Sequence, residues 1–470
     1  MADVSSLSAA ELGAHFENGS LSPVDAAKAT IERAERFSSL NAFVRPLEPE
    51  RILAEAKESE ARWHRKMPKG RLDGVPISVK DAILCKGWPT LAGSTLVDPN
   101  QEWSEDAPAV ARLREDGAII IGKTTTPEFG WKGVTDSPLT GLSRNPWDLR
   151  KTPGGSSGGA GAAVAAGIGH AAIGTDAAGS VRIPGAFCGL VALKASRGRI
   201  PAYPQSPLGT MAHVGPICRT VLDASLMLSV MSRPDPRDWN ACLPDPALHQ
   251  WQNLALPERR LRVAASLTLG CAKVEPAVAG LFEQAVREFE AIGVDVEPVE
   301  KPFDNPEPFC RVLFEAGVAH AVRRFNEEQR RRLDPGLLAM AKRGEAIDRR
   351  SYMEAAEAGM VLGRTMRLFH HHYDLLITPT MAVEAFEAGR LSPDGYDPSN
   401  WLAWSPFTCA FNVTGQPALT IPCGLSPSGM PVGLQIVGNA FADRLVLSAA
   451  HAYERARSAR ITLPVEPKAV

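Results

Sequence analysis

The stretch Asp106-Ala-Pro-Ala-Val-Ala-Arg-Leu-Arg-Glu-Asp-Gly-Ala-Ile-Ile-Ile-Gly122 decides the class of fold. Asp106 to Arg114 reads as a capped helix, because a short acidic side chain precedes a proline in the first turn. Gly117 to Gly122 carries three consecutive isoleucines, a β-branched run too short for a helix and apolar enough for a buried strand. A helix that leads straight into a buried strand points to an α/β sheet.

The same alternation extends outward. Upstream, Ser22-Pro23 is a helix start followed by Ala26, Ala27, Ile31 and Ala34 at helical spacing, and residues 49–66 read as a second helix. Gly74-Val-Pro-Ile-Ser-Val-Lys80 is a short apolar strand that ends on a lysine. Downstream of a glycine-rich centre, residues 261–269 and 294–299 are strand-like around a helical 277–292. Residues 309–372 are almost purely helical and more charged, a cover laid over one side of the sheet. Asp374-Leu-Leu-Ile-Thr-Pro379, Pro417-Ala-Leu-Thr-Ile-Pro422 and Val432-Gly-Leu-Gln-Ile-Val437 then return to strand. No repeat, linker or low-complexity tract interrupts this pattern. Residues 1–470 are therefore expected to form one domain, with 1–68 a helical N-terminal segment, 70–220 its core and 309–372 the cover.

Composition narrows the function. The 51 basic and 53 acidic residues leave a formal charge of −2, which argues against a nucleic-acid or membrane-surface partner. Arg323, Arg324, Arg330, Arg331 and Arg332 are interleaved with Glu327, Glu328 and Asp334 and read as a solvated helix face. The 8 cysteines are scattered, with no CxxC, and suit a reducing compartment. The start Met1-Ala2-Asp3-Val4 does not read as an export signal, and the longest apolar stretch, 160–174, is too short to span a bilayer. The expected location is the cytoplasm.

Two segments carry chemistry. In Thr152-Pro-Gly-Gly-Ser-Ser-Gly-Gly-Ala160, four glycines let the backbone approach a ligand closely. Gly174-Thr-Asp-Ala-Ala-Gly-Ser-Val-Arg-Ile-Pro184 places Ser180 behind small residues whose N–H groups can converge on one point, as an oxyanion requires. A serine hydroxyl needs a base, and a lysine at the end of a buried strand loses charge as burial disfavours the ammonium. Lys80 is the candidate. A bland account stands beside each assignment: a flexible glycine loop, a surface pair of Lys80 with Asp81, a turn-capping Ser180. Asp176 and Arg182 read as a structural pair that holds the loop.

Taken together, Gly74-Val-Pro-Ile-Ser-Val-Lys-Asp81, Gly-Gly-Ser-Ser-Gly-Gly159 and Gly174-Thr-Asp-Ala-Ala-Gly-Ser-Val-Arg-Ile-Pro-Gly-Ala-Phe-Cys-Gly189 resemble the amidase signature family. Similarity continues through Gly122-Lys-Thr-Thr-Thr-Pro-Glu-Phe129, Phe411-Asn-Val-Thr-Gly-Gln-Pro-Ala418 and Gly429-Met-Pro-Val-Gly-Leu-Gln435. The resemblance implies a mixed central sheet covered by helices on both sides. It also implies a Ser–Ser–Lys triad in which Ser180 attacks a carbonyl while Ser156, on a cis peptide, relays its proton to neutral Lys80. The N–H groups of Ala177, Ala178, Gly179 and Ser180 would form the oxyanion hole, and Phe129 and Trp131 would line the acyl pocket. Ala178 stands where many relatives have glycine, and Lys194-Ala-Ser-Arg-Gly-Arg199 where a Lys-Pro-Thr run is common.

Other motifs carry less. Gly117-Ala-Ile-Ile-Ile-Gly-Lys-Thr124 matches the phosphate-loop pattern, yet its middle is strand-forming and Pro127 interrupts any following helix. The two GxSxG matches at 154–159 lack the apolar strand that a nucleophile elbow needs. His451 reads as a helix-surface residue. His370-His371-His372 cannot all face one ion if they lie on a helix. The expectation is an amidase with no metal or cofactor and a small amide substrate, possible esters or carbamates included, with a homodimer left open. A glutaminase of the amidotransferase type, which needs a partner chain, is the second reading. A binding protein with a degenerate site is disfavoured because all three triad positions are filled.

Overall fold

The computed structural model describes residues 3–457 and 464. Its strands, in chain order, are β1 (Pro76–Lys80), β2 (Ile119–Thr124), β3 (Asp136–Ser137), β4 (Gly141–Leu142), β5 (Ala171–Asp176), β6 (Val191–Lys194), β7 (His213–Cys218), β8 (Arg262–Ala265), β9 (Asp295–Pro298), β10 (Leu375–Pro379), β11 (Ala418–Leu425) and β12 (Pro431–Gly438). Ten of them form one sheet in the order β2-β1-β5-β7-β6-β11-β12-β10-β8-β9, while β3 and β4 make a separate short ribbon. Pairing is parallel in β2-β1-β5 and in β10-β8-β9, and antiparallel between those two blocks. The sheet is mixed.

Side chains alternate across a strand, so neighbouring residues enter different cores. Ile120, Ala171, Ile173, Leu375 and Ile377 join one apolar cluster, with helices Pro108–Glu115, Val221–Met231, Pro276–Ala291 and Asp443–Ala456 packed on it. Ile119 and Ile121 join a second cluster and Ala172 a third, with helix Gly158–Ala165 among their partners. Leu376 and Val437 enter a fourth, beneath the cover. Helices therefore clothe both faces, as the sequence predicts for this α/β sheet.

The structure corrects several boundaries. The helix in the opening stretch begins at Pro108, and its N-cap is Ala107 rather than Asp106. Asp106 instead accepts the Lys86 N–H at 2.7 Å and pairs with Arg114 at 3.2 Å. The strand expected over 261–269 ends at Ala265, where Ser266 donates to the Glu300 carbonyl and accepts the Leu269 N–H to open a turn. The cover is four helices, Glu307–Val322, Glu327–Arg330, Pro335–Glu345 and Arg349–Phe369. Asn326, Asp334 and Asp348 cap the last three with their side chains and so set the breaks. The histidine run lies just past the last of these helices. His370 Nδ1 sits 2.9 Å from the Tyr373 carbonyl and its Nε2 2.9 Å from Gln416 Nε2.

Two cover helices meet at Gly344, where an added Cβ would collide with the Glu315 carbonyl. Overpacking at such a contact costs about 1–3 kcal/mol. Gly344→Ala is expected to lower the thermal unfolding midpoint measurably, while alanine at Gly363, inside helix Arg349–Phe369 where an added Cβ meets nothing within 4 Å, is expected to raise it slightly.

Candidate active site

β1, β2 and β5 run parallel, and their C-terminal ends deliver Lys80, Thr124 and Asp176 to one edge of the molecule. Ligands gather at this end of open α/β sheets. Lys80 is fully buried, with Nζ 2.6 Å from Ser156 Oγ and 2.8 Å from Thr175 Oγ1. Among the described residues it forms no ion pair. Burial pushes its ammonium down to about 7, against the pull of the Asp176 carboxylate toward the charged form. The surface pair with Asp81 is not formed: Asp81 is also fully buried, accepts the N–H groups of Leu91 and Gly93, and faces Lys123 at 4.0 Å.

Ser156 follows a cis peptide at Gly155–Ser156, immediately before helix Gly158–Ala165. Gly155 is pressed against Val134, whose backbone C and O would lie 2.6 Å from a Cβ placed there, so no larger residue fits. The Ser157 N–H donates to the Ser180 carbonyl at 3.1 Å, and Ser157 Oγ bridges the Thr175 N–H and carbonyl at 3.3 and 3.2 Å. The two serine loops are thus laced together. Ser156 and Ser180 line one cavity, although among the described residues no hydrogen bond joins their hydroxyls.

Ser180 sits on a loop wound around Asp176. The Asp176 carboxylate accepts from Arg182 at 2.9 and 3.0 Å, from Asn412 Nδ2 at 2.8 Å and from the Gly179 N–H at 2.7 Å. Burial works to raise its pKa, but the Arg182 charge, these hydrogen bonds and Lys194 overcome it and hold the group below the usual carboxylate range. Arg182 also donates to Gln435 Oε1 and Asn412 Oδ1, at 2.8 and 2.6 Å. Gly179 stands at φ +115 against Thr408, a conformation and a gap closed to other residues. Its N–H being engaged by Asp176, the N–H groups of Ala177, Ala178 and Ser180 are the ones with no protein acceptor among the described residues. The Ala178 methyl packs into the apolar core, and its carbonyl accepts from Thr408 Oγ1 at 2.7 Å.

The cavity measures about 310 Å³ and its wall is mostly apolar. Phe129 and Trp131, both expected here, line it together with Ile83, Tyr203, Val214 and Val318. Phe129 takes a left-handed φ of +52 and packs its ring on Phe325 at 5.7 Å. Trp131 lies under Gly336 of the cover. Lys132 Nζ pairs with Asp334 at 3.0 Å and Glu128 accepts the Asp334 N–H at 2.7 Å, which fastens the cover to this loop. Thr175, Asn412 and Gln435 were not singled out from sequence, although each lies inside a quoted segment. The wall over 201–212 carried no signal beyond its prolines. His451 sits 3.8 Å from Glu454 on the far helix Asp443–Ala456 and does not line the cavity.

Residues 25–447 match the family model described as Amidase. This chain belongs to the amidase family. The amidase is 36% identical over 468 residues to an acylamidase of Rhodococcus erythropolis, with 96% of this chain and 95% of that protein covered. It is 34% identical over 466 residues to an indoleacetamide hydrolase of Bradyrhizobium diazoefficiens, with 95% of this chain and 86% of that protein covered. A glutamyl-tRNA(Gln) amidotransferase component of Moorella thermoacetica is 32% identical, at 96% coverage of both. A bacterial aryl acylamidase of the amidase signature family superposes with a TM-score of 0.87 over 96% of each chain, at 28% identity. The amidase is therefore a hydrolase acting on amides. No helix among its described residues is long and apolar enough to cross a membrane.

Breaking a buried ion pair by removing one partner costs about 3–5 kcal/mol. Arg182→Met is expected to destabilise the amidase by that order, measured by denaturant titration. Adding Asp176→Asn to it is expected to recover part of the loss, because the uncompensated charge is then gone.

Proposed function

We propose that the amidase works through a serine acyl-enzyme, with Ser180 as nucleophile, Ser156 as proton bridge and Lys80 as base. The observation that carries this reading is the 2.6 Å contact between a fully buried amine, whose pKa burial lowers to about 7, and Ser156 Oγ at the floor of the cavity that also presents Ser180. Ser180 Oγ attacks the amide carbon and passes its proton to Ser156, whose own proton moves to Lys80 Nζ. The contact between the two serine hydroxyls closes as substrate seats, as catalytic hydrogen bonds that are open in the free enzyme commonly do. The tetrahedral oxyanion is met by the N–H groups of Ala177, Ala178 and Ser180, which need no reorganisation to donate. Gly179, with its N–H on Asp176, holds the loop in shape instead.

Collapse of the intermediate breaks the C–N bond, and the proton returns through Ser156 to the departing amine. Water enters by the same route, reversed, to release the acid and regenerate Ser180. The apolar wall around Phe129 and Trp131 suits an acyl or aryl group of matching character. Residues 1–470 act as one amidase domain in this reading, in the cytoplasm, with 309–372 as its cover. Because an amidotransferase component is among the similar proteins, the same cavity serving an amidotransferase is the second reading. Hydrolysis of simple amides and anilides by the purified chain alone supports the first; turnover only with an added partner chain supports the second.

Ser180→Ala is expected to abolish turnover and labelling by a fluorophosphonate without altering the unfolding midpoint; labelling at Ser157 instead would sink the assignment. Lys80→Ala is expected to lower kcat by several orders of magnitude. The neutral amine is the active form, so kcat/KM is expected to rise with pH through about 7 and level off above. A wild-type profile that climbs only toward about pH 10 means that the lysine is charged at neutral pH, against this reading.

A further inference from the structure

The cavity carries one feature that the chemistry of amide cleavage does not use. Among the side chains that line it, only Arg324 brings a formal charge, set in a wall of alanine, proline, isoleucine, valine and aromatic residues. Arg324 follows the first cover helix, Glu307–Val322, in the basic cluster that reads from sequence as a solvated face. Of the run, Arg323, Arg330, Arg331 and Arg332 do not line the cavity. Arg330 pairs with Glu345 at 2.6 Å, Arg343 with Glu315 at 2.7 Å and Arg311 with Glu307 at 3.7 Å. Among the described residues Arg324 has neither an ion pair nor a hydrogen bond.

What it has is a seat. Its guanidinium lies over the rings of Phe129 and Phe325, at 5.5 and 4.9 Å from their centroids. Stacking occupies the faces of the planar group and leaves its N–H edge free to donate. Phe129 also lines the cavity, one residue from Gly130, which in turn abuts Ser156 Oγ. The cation is therefore held at the rim of the same cavity whose floor holds the serines. A carboxylate matches a guanidinium edge with two parallel hydrogen bonds, and because Arg324 is exposed the attraction is screened by salt.

We propose that Arg324 is a specificity-determining residue that selects amides whose apolar body ends in a carboxylate remote from the scissile bond. This deepens the amidase reading of the cavity and rests on it. The substrate class is then the monoamides and monoanilides of dicarboxylic acids, with the free acid at the rim and the amide carbonyl at Ser180.

Binding tests this apart from turnover. The full chain carrying Ser180→Ala is titrated calorimetrically with mono-4-nitroanilides of dicarboxylic acids of increasing length, each beside the methyl-ended acyl anilide of equal length. At the length that spans the cavity, the carboxylate form is expected to bind about tenfold more tightly or better at low ionic strength, the gap narrowing as salt is added. Adding Arg324→Gln is expected to erase the preference, and Arg324→Lys to keep part of it, with unfolding midpoints matched among the variants. Equal affinity of the two series at every length overturns the proposal, as does a preference that survives Arg324→Gln. A failure of Ser180 as nucleophile shows separately, as release of 4-nitroaniline by the Ser180→Ala chain, and is thereby told apart from a lost carboxylate preference.

Discussion

An amine buried without a counter-ion is the constraint on which the site depends. Lys80 lies at the end of β1 with no solvent contact, and the carboxylate that favours its charge is Asp176. That carboxylate is already committed: Arg182 grips both its oxygens, and Asn412 and Gly179 add hydrogen bonds. Were Asp176 unpaired, its full charge would draw a proton onto Lys80 and remove the base proposed above. The ion pair thus does two jobs, holding the loop of Ser180 in shape and keeping a negative charge from reaching the lysine undiminished. Its energetic value to folding is secondary, since a buried pair roughly balances its own desolvation.

The sheet explains why these groups meet. Three parallel strands end together, so Lys80, Thr175 and Asp176 arrive side by side without any long excursion of the chain. The glycines of 154–159 then let a second segment pass close enough to the strand ends for Ser156 to touch Lys80. At Gly155 the neighbour is the backbone of Val134, and at Gly158 the side chain of Thr135, which itself donates to the Gly154 carbonyl at 2.8 Å. Each close approach is therefore fixed on both sides. Such pre-organisation is what the proposed proton relay needs, because a shift of about one ångström would break it.

The sheet and the segments that line the candidate site were legible in the sequence because their signals are local. Isoleucine runs, proline-started helices and the two serine loops are short, contiguous stretches, and the elements fall where they are expected to within a few positions. Asp106 misled because an acidic residue before a proline reads as a cap whether or not its carboxylate is already taken; here the Lys86 N–H takes it. Lys80 and Asp81 read as a plausible surface pair because adjacency along the chain says nothing of burial. In a strand, successive side chains leave on opposite faces, and each found a separate partner.

What the sequence did not disclose, Phe129 and Trp131 apart, is the wall of the cavity. It is assembled from residues 82–109, 129–131, 201–214 and 317–337, stretches far apart along the chain. Outside 129–131 none carries a motif, since an apolar wall needs only the right volume and any of several side chains supplies it. The serine loops, by contrast, tolerate almost nothing, because a Cβ at Gly155, Gly158 or Gly174 would meet its neighbour at less than 3 Å. Reaction type and substrate choice are thus written under different rules in this amidase. Bond-making geometry is held by contacts that admit one residue, and selectivity by a surface of interchangeable ones, so a single unpaired cation such as Arg324 on that surface is informative where another valine would not be.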